Sequence, residues 1–261
     1  STPSNSSAAS DVYKRQVGEL FSCLPMNKVK LHTLWLLGML FLMTACGDDD
    51  YYYPSVKLEF VTVKAGADGL IQSLLPDKGE LLTVAKDRTG STISPNSARR
   101  VISNYEVNPE DATAVIYSLQ SVVTPEPKGA DDPAFEGGLK YDPVDVTSIW
   151  LGRDYLNMIL NVKININSGK QHVFGMIEES VEAEGDETVV TLSLFHDANG
   201  DEENYNRRAY ISVPLTKYVD EENPHQTIRI KFKYHTTDKS GVVVESSKYC
   251  DPGFEYVPGV N

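Results

Sequence analysis

From residue 155 to residue 166 the chain reads YLNMILNVKINI. Leu156, Met158, Leu160, Val162, Ile164 and Ile166 take every even position, and Asn157, Asn161, Lys163 and Asn165 take most of the odd ones. A period of two belongs to a strand, because successive side chains point to opposite faces; a helix repeats every three or four residues. This stretch can bury its apolar set only as a strand with one face on a core. A lone strand is not stable, so the rest of the chain must supply partners.

Those partners are visible on both sides. Downstream, Ser168-Gly169 marks a turn into a strand at 171–178. Further strands are expected at 188–195, 209–215 and 227–235, with 242–245 paired back to the last through 238–241. Upstream, Val56, Leu58 and Phe60 alternate with Lys57 and Glu59. Residues 80–86, 99–107 and 114–123 follow, the last with Val115, Tyr117, Leu119 and Val123 on one face. Turn formers such as Asp68-Gly69 and Ser94-Pro95-Asn96 separate them. No convincing long helix interrupts the series. The fold class expected is therefore all-β.

Residues 124–143 hold four prolines and three glycines with little periodicity. Residues 125–143 read as an interdomain linker or long loop. About five strands precede it, which suits a small OB-like barrel at 55–124. About six or seven follow, enough for a β-sandwich at 144–258.

The N-terminal end carries other information. Residues 33–43 are apolar throughout, but 11 residues are too few to cross a bilayer, which takes about 20. Met26, Lys28 and Lys30 precede the run, and Thr44, Ala45 and Cys46 follow it. A positive start, a short apolar core and small residues at the cut describe a secretory signal peptide over 26–45. The order Met43-Thr44-Ala45-Cys46 resembles a lipobox, although Met43 stands where Leu is usual. Cleavage would make Cys46 the lipidated first residue and 46–54 an acidic tether. Residues 1–25 fit no signal region. One codon choice for Asp11–Gln16 spells the end of a transposon sequencing adapter, and 1–25 read as adapter and untranslated sequence.

Maturation at Cys46 would remove four of the 24 basic residues and two of the 37 acidic ones, leaving 216 residues with a formal charge of −15. So acidic a surface repels phosphates and speaks against nucleic acid as a partner. Cys250 would be the last unmodified cysteine, so no intramolecular disulfide can form. Asp251 beside it raises rather than lowers a thiol pKa, which argues against a nucleophile.

Motifs that carry chemistry are sparse. There is no GxSxG, HExxH, phosphate loop or CxxC. His172, His196, His225 and His235 are scattered, and each reads as a surface or strand-edge residue. In "HDANGDEEN", Asp197, Asn199, Asp201 and Glu203 alternate as calcium ligands do at the start of an EF-hand loop. Gly200 is misplaced for such a loop, and a hairpin turning on Asn199-Gly200 uses the same residues. Calcium is the one cofactor that the sequence suggests; otherwise none is expected. Glu178, Glu179 and Glu182 could pass for paired carboxylates, yet they lie in what reads as an acidic connection. Trp150 is a core anchor or a ligand platform, with the core favoured. Tyr51, Tyr52 and Tyr53 could stack on sugars or simply pack.

Together, Cys46-Gly47-Asp48-Asp49-Asp50, the tyrosine run, the 56–63 strand and a hairpin over 192–215 with its Asn/Asp/Tyr-rich tip resemble the NigD-like lipoproteins of Bacteroidetes. The resemblance covers the mature chain and implies an OB-like domain followed by a β-sandwich. It brings no established activity. Asp48, Asp49 and Asp50 resemble the signal that sends such lipoproteins to the cell surface, though they would also simply solvate a tether. The expected protein is a lipid-anchored outer-membrane lipoprotein, exposed at the cell surface. It is expected to be a non-catalytic binding or assembly module for an envelope protein or glycan. The alternative is a glycan-active envelope enzyme with a carboxylate pair. A third possibility, a subunit of a surface complex, would show as an unpaired edge strand.

Overall fold

The computed structural model describes residues 56–201 and 205–259, all within one unit spanning Pro54–Asn261. Five strands come first: β1 (Val56–Ala65), β2 (Ile71–Pro76), β3 (Leu82–Asp87), β4 (Ala98–Asn108) and β5 (Thr113–Ser121). They close into a barrel in the order β1-β2-β3-β5-β4, with β3 and β5 parallel and the other pairs antiparallel. Closure removes the free edges that a five-stranded sheet would otherwise expose. Val61, Val63, Ile71, Leu74, Val101, Tyr105, Ala114 and Ile116 are among the residues that fill it.

Two barrel faces differ from the sequence expectation. In β1 the barrel is filled by Val61 and Val63; Phe60 points the other way, and Leu58 is 66% exposed. Glu59 takes the inward position near the barrel end, where Tyr105 donates its hydroxyl hydrogen to Glu59 Oε2 at 2.8 Å. In β5 the inward residues are Ala114 and Ile116, then Leu119, rather than Val115 and Tyr117. The register shifts between Asn104 and Tyr105, so Tyr117 is bulged out and the alternation restarts on the other face.

The remaining strands are β6 (Pro127–Gly129), β7 (Asp145–Gly152), β8 (Tyr155–Ile164), β9 (Val173–Glu184), β10 (Glu187–Asp197), β11 (Tyr205–Pro214), β12 (Ile228–Thr237) and β13 (Val243–Tyr256). They form a five-stranded sheet, β13-β12-β10-β9-β6, facing a three-stranded one, β11-β8-β7. Leu156, Met158, Leu160 and Val162 of β8 lie in the core between the sheets, with Val190, Leu192, Ile211, Val213, Ile230 and Phe232. The strict alternation in 155–166 thus reports a real buried face.

Three readings of the second half need correction. Residues 125–143 are no free linker: β6 pairs with β9, Phe135 is buried, and Tyr141 bridges to His196. Proline and glycine there shape a path along the sandwich. Residues 192–215 do not form a hairpin, because β10 pairs with β9 and β12 while β11 pairs with β8. The chain crosses from one sheet to the other between them. Finally, Glu178, Glu179 and Glu182 sit on β9, which runs on to Glu184 before turning at Gly185. Their charges occupy solvent-facing or ion-paired strand positions.

Candidate functional site: the seam between barrel and sandwich

The three-stranded sheet has two covered faces. Its inner face lies on the sandwich core. Its outer face carries Trp150, Ile159 and Tyr210, which pack with Phe60, Ile102 and Val122 from the barrel side. Phe60 meets Trp150 edge-on, with ring centroids 5.3 Å apart at 82°, and Tyr210 at 6.2 Å and 68°. These are favoured aromatic geometries, because a ring edge is positive and its face negative. Trp150 packs, half-buried, on the buried cluster at the junction rather than in the sandwich core, and its remaining surface lines the seam cleft.

Beside this apolar contact lies a buried polar one. Arg100 of β4 pairs with Asp77. Its Nε donates to Ser212 Oγ at 3.0 Å and its Nη2 to Asn157 Oδ1 at 3.1 Å. Asn157 Nδ2 donates to Asp77 Oδ2 at 2.7 Å, and Ser212 Oγ donates to Asn157 Oδ1 at 2.6 Å. The guanidinium also lies 4.3 Å over the Tyr155 ring. Two barrel residues and two sandwich residues thus satisfy one another away from water. A charge buried in this way persists only when paired and hydrogen-bonded. Arg153, at the β7–β8 turn, adds hydrogen bonds to the carbonyls of Pro76 at 3.2 Å and Gly79 at 2.7 Å. Gly152 is required beside the network, since a Cβ there would collide with Asp77 and Asn157.

A cleft of about 360 Å³ opens along this seam. Leu58, Phe60, Ile102, Trp150, Ile159 and Tyr210 give it an apolar lining, and Glu59, Asp77, Lys78, Gln120 and Arg208 supply polar groups. A second cavity of about 570 Å³ shares Gln120, Arg208 and Tyr210 with it, and extends toward His172 and Phe174. Leu58 is legible in the sequence as part of the apolar set Val56, Leu58 and Phe60. Its placement at a cleft could not, because that depends on which β1 face fills the barrel.

Two of the four histidines, His172 and His196, meet in space, whereas His225 lies 3.4 Å from the Pro258 carbonyl. His172 Nδ1 and His196 Nε2 lie 2.9 Å apart, and His196 Nδ1 lies 2.9 Å from the Asp142 carbonyl. A carbonyl only accepts, so His196 carries its proton on Nδ1 and its Nε2 accepts from His172. His172 Nε2 then faces Asp201 Oδ2 at 3.4 Å without an aligned hydrogen bond. His196 is 2% exposed and stacks on Phe174. Burial pushes its pKa below the ordinary value, against the pull of the Asp142 carbonyl. His235 Nδ1 is buried with no hydrogen-bond partner among the described residues, and its ring lies against Tyr141.

The residues singled out for calcium have separate partners. Asp197 Oδ1 accepts from the Asn199 amide at 2.7 Å, Asn199 Nδ2 donates to the Gln171 carbonyl, and Asp201 Oδ2 accepts from the Asn165 amide at 3.0 Å. Asn199 and Gly200 have positive φ, and Asp201 N–H closes the turn onto the Ala198 carbonyl. Glu203 lies outside the described residues. Among those described, no group of three or more His, Cys, Asp and Glu is placed to hold a metal ion. Cys46, Asp48, Asp49, Asp50 and Tyr51–Tyr53 also lie outside the described residues.

Two carboxylates, Glu59 and Asp77, line the seam cleft, but each is engaged: Glu59 accepts from Tyr105 and Asp77 pairs with Arg100. Glu178 accepts from Tyr218 at 2.6 Å and pairs with Lys217; although burial opposes it, these contacts hold its carboxyl below the ordinary value. Glu179 pairs with Lys233 at 2.8 Å. Burial pushes the Cys250 thiol up, away from thiolate chemistry.

Comparison with known proteins agrees with this architecture. Residues 60–122 match the NigD-like N-terminal OB domain, and residues 127–245 match the NigD-like C-terminal β-sandwich domain. A crystal structure of a NigD-like immunity protein from Bacteroides caccae is 70% identical, with a TM-score of 0.72 over 80% of this chain and 100% of that one. A protein of unknown function from Bacteroides vulgatus shares the fold at 18% identity, with a TM-score of 0.56 over 79% of this chain and 96% of that one. A search of curated proteins found no match.

Proposed function

The chain belongs to the NigD-like family, and on that premise we propose that it is a non-catalytic binding module of the cell envelope. It is anchored to the outer membrane by lipid on Cys46 and exposed at the cell surface, with Asp48, Asp49 and Asp50 as the export signal. Its partner is an envelope-associated protein or glycan, and the cleft along the barrel–sandwich seam receives it. The similar Bacteroides caccae structure bears the name of an immunity protein.

One observation carries the reading. The seam is locked by a paired polar network, yet the cleft beside it leaves Leu58 66% exposed and Trp150, Ile159 and Tyr210 only partly buried. An apolar cleft with a few convergent polar groups on a rigid frame is what a binding site requires. A pocket serving only the fold would close over Leu58 and Trp150.

Two measurements test it. Fractionation of cells carrying Cys46→Ala should move the protein from membrane to soluble fraction; retention in the membrane would refute the anchor. Capture from detergent-solubilised envelopes should yield a partner with the native chain and lose it with Leu58→Asp. Equal recovery by both would remove the cleft from the account.

A further inference from the structure

β11 is an edge strand of the three-stranded sheet, and only part of that edge is used. Val123 N–H donates to the Tyr210 carbonyl at 2.9 Å, and Ser212 N–H donates to the Val123 carbonyl at 2.9 Å. This single parallel bridge, Val123 to Ile211, fixes which groups point outward. Backbone groups alternate along a strand, so those of Ile211, Ala209, Arg207 and Tyr205 face β8. The N–H of Tyr210 and both amide groups of Arg208 and Asn206 face the open edge. Among the described residues no other segment pairs with it.

The larger cavity lies along this edge, between residues 120–123 and the 165–172 loop. The charge of its described lining residues is opposite to that of the whole chain. Lys170, Arg207 and Arg208 line it, and Asp201 is the one carboxylate among the described lining residues. That carboxylate is taken up by the Asn165 amide and faces His172. The chain as a whole carries −13. Val123 and Ile166, 40% and 65% exposed, add apolar surface.

We propose that the open edge of β11 at Asn206, Arg208 and Tyr210 takes an extended, acidic polypeptide segment of a partner protein as an added strand. The main-chain groups would give affinity, and the three cations would select acidic side chains. The chain already bridges its own Val123 to the same edge through two main-chain hydrogen bonds. A second copy fits poorly, because pairing two β11 edges would bring their arginines together. The proposal rests on the binding-module reading and names its partner class.

The probe is a synthetic peptide of alternating Glu and Val, about ten residues long, the reach of an ordinary strand. A Lys/Val counterpart serves as control. Added to the full chain, the acidic peptide should bind and slow amide exchange at Asn206, Arg208 and Tyr210 by about tenfold or more. The basic peptide should do neither. Arg208→Pro removes one outward N–H without touching β8 and should weaken binding by about tenfold, as should Arg207→Glu with Arg208→Glu. Binding of both peptides alike, or binding without protection at these amides, would overturn the proposal. So would concentration-dependent dimerisation that protects the same amides. If the edge fails while Leu58→Asp still abolishes partner capture, the strand proposal falls and the module reading stands. If edge binding holds while Leu58→Asp changes nothing, the cleft falls instead.

Discussion

Arg100 Nε and Ser212 Oγ are 112 residues apart in sequence and 3.0 Å apart in space, one from the barrel and one from the sandwich. Their hydrogen bond belongs to a network in which Arg100 and Asp77 are 2% and 12% exposed. Removing the guanidinium would leave the Asp77 carboxylate without its countercharge. Arg100→Ala should therefore cost about 3–5 kcal/mol in denaturant unfolding. Arg100→Lys should recover only part of it, because one ammonium cannot reach Asp77, Asn157 and Ser212 together. An unfolding free energy within about 0.5 kcal/mol of the native chain for Arg100→Ala would show that the network does not hold the seam.

Gly152 sits where a methyl group would strike Asp77 and Asn157. Gly152→Ala should cost about 1–3 kcal/mol by forcing this network apart. The loss should shrink markedly in an Asp77→Ala background, where the obstruction is gone. A double-mutant cycle measures that coupling, and additive effects would contradict the close approach.

His196 gives the chain a defined acid response. Its folded pKa lies below the ordinary value near 6.5, so the unfolded chain takes up the proton first. The stability from keeping the ring neutral is fully present above about 6.5 and is lost as pH falls through the lower folded value. Urea titrations over this range should show His196→Gln with a shallower pH dependence than the native chain. Identical slopes would mean that His196 titrates without linkage to folding.

Much of the fold was legible in the sequence, for identifiable reasons. Residues 155–166 announced β8 because its apolar face meets a single core. The order of a small barrel and a sandwich followed from strand count and spacing. What failed were the places where strands serve two layers or break rhythm. Asn157 looked like a solvent residue by alternation, yet it is buried, because the outer face of β8 is covered by the barrel. Tyr117 looked inward until a bulge turned it out. Gly175 approaches the rings of Phe135 and Phe195, so a segment rich in proline packs where a free linker seemed natural. The pairing of His172 with His196 had no local signal, since 24 residues and a sheet register stand between them. The cleft was equally invisible, as it exists only once two domains meet.

The most direct test places a photo-crosslinking amino acid at Leu58 in the living cell, with Glu110 at the exposed β4–β5 turn as the control position. A discrete adduct at Leu58 that disappears with Trp150→Ala, and none at Glu110, is the expected result. The same adducts at both positions, or none at Leu58 in a folded, membrane-anchored protein, would contradict the assignment of the seam cleft as the binding site.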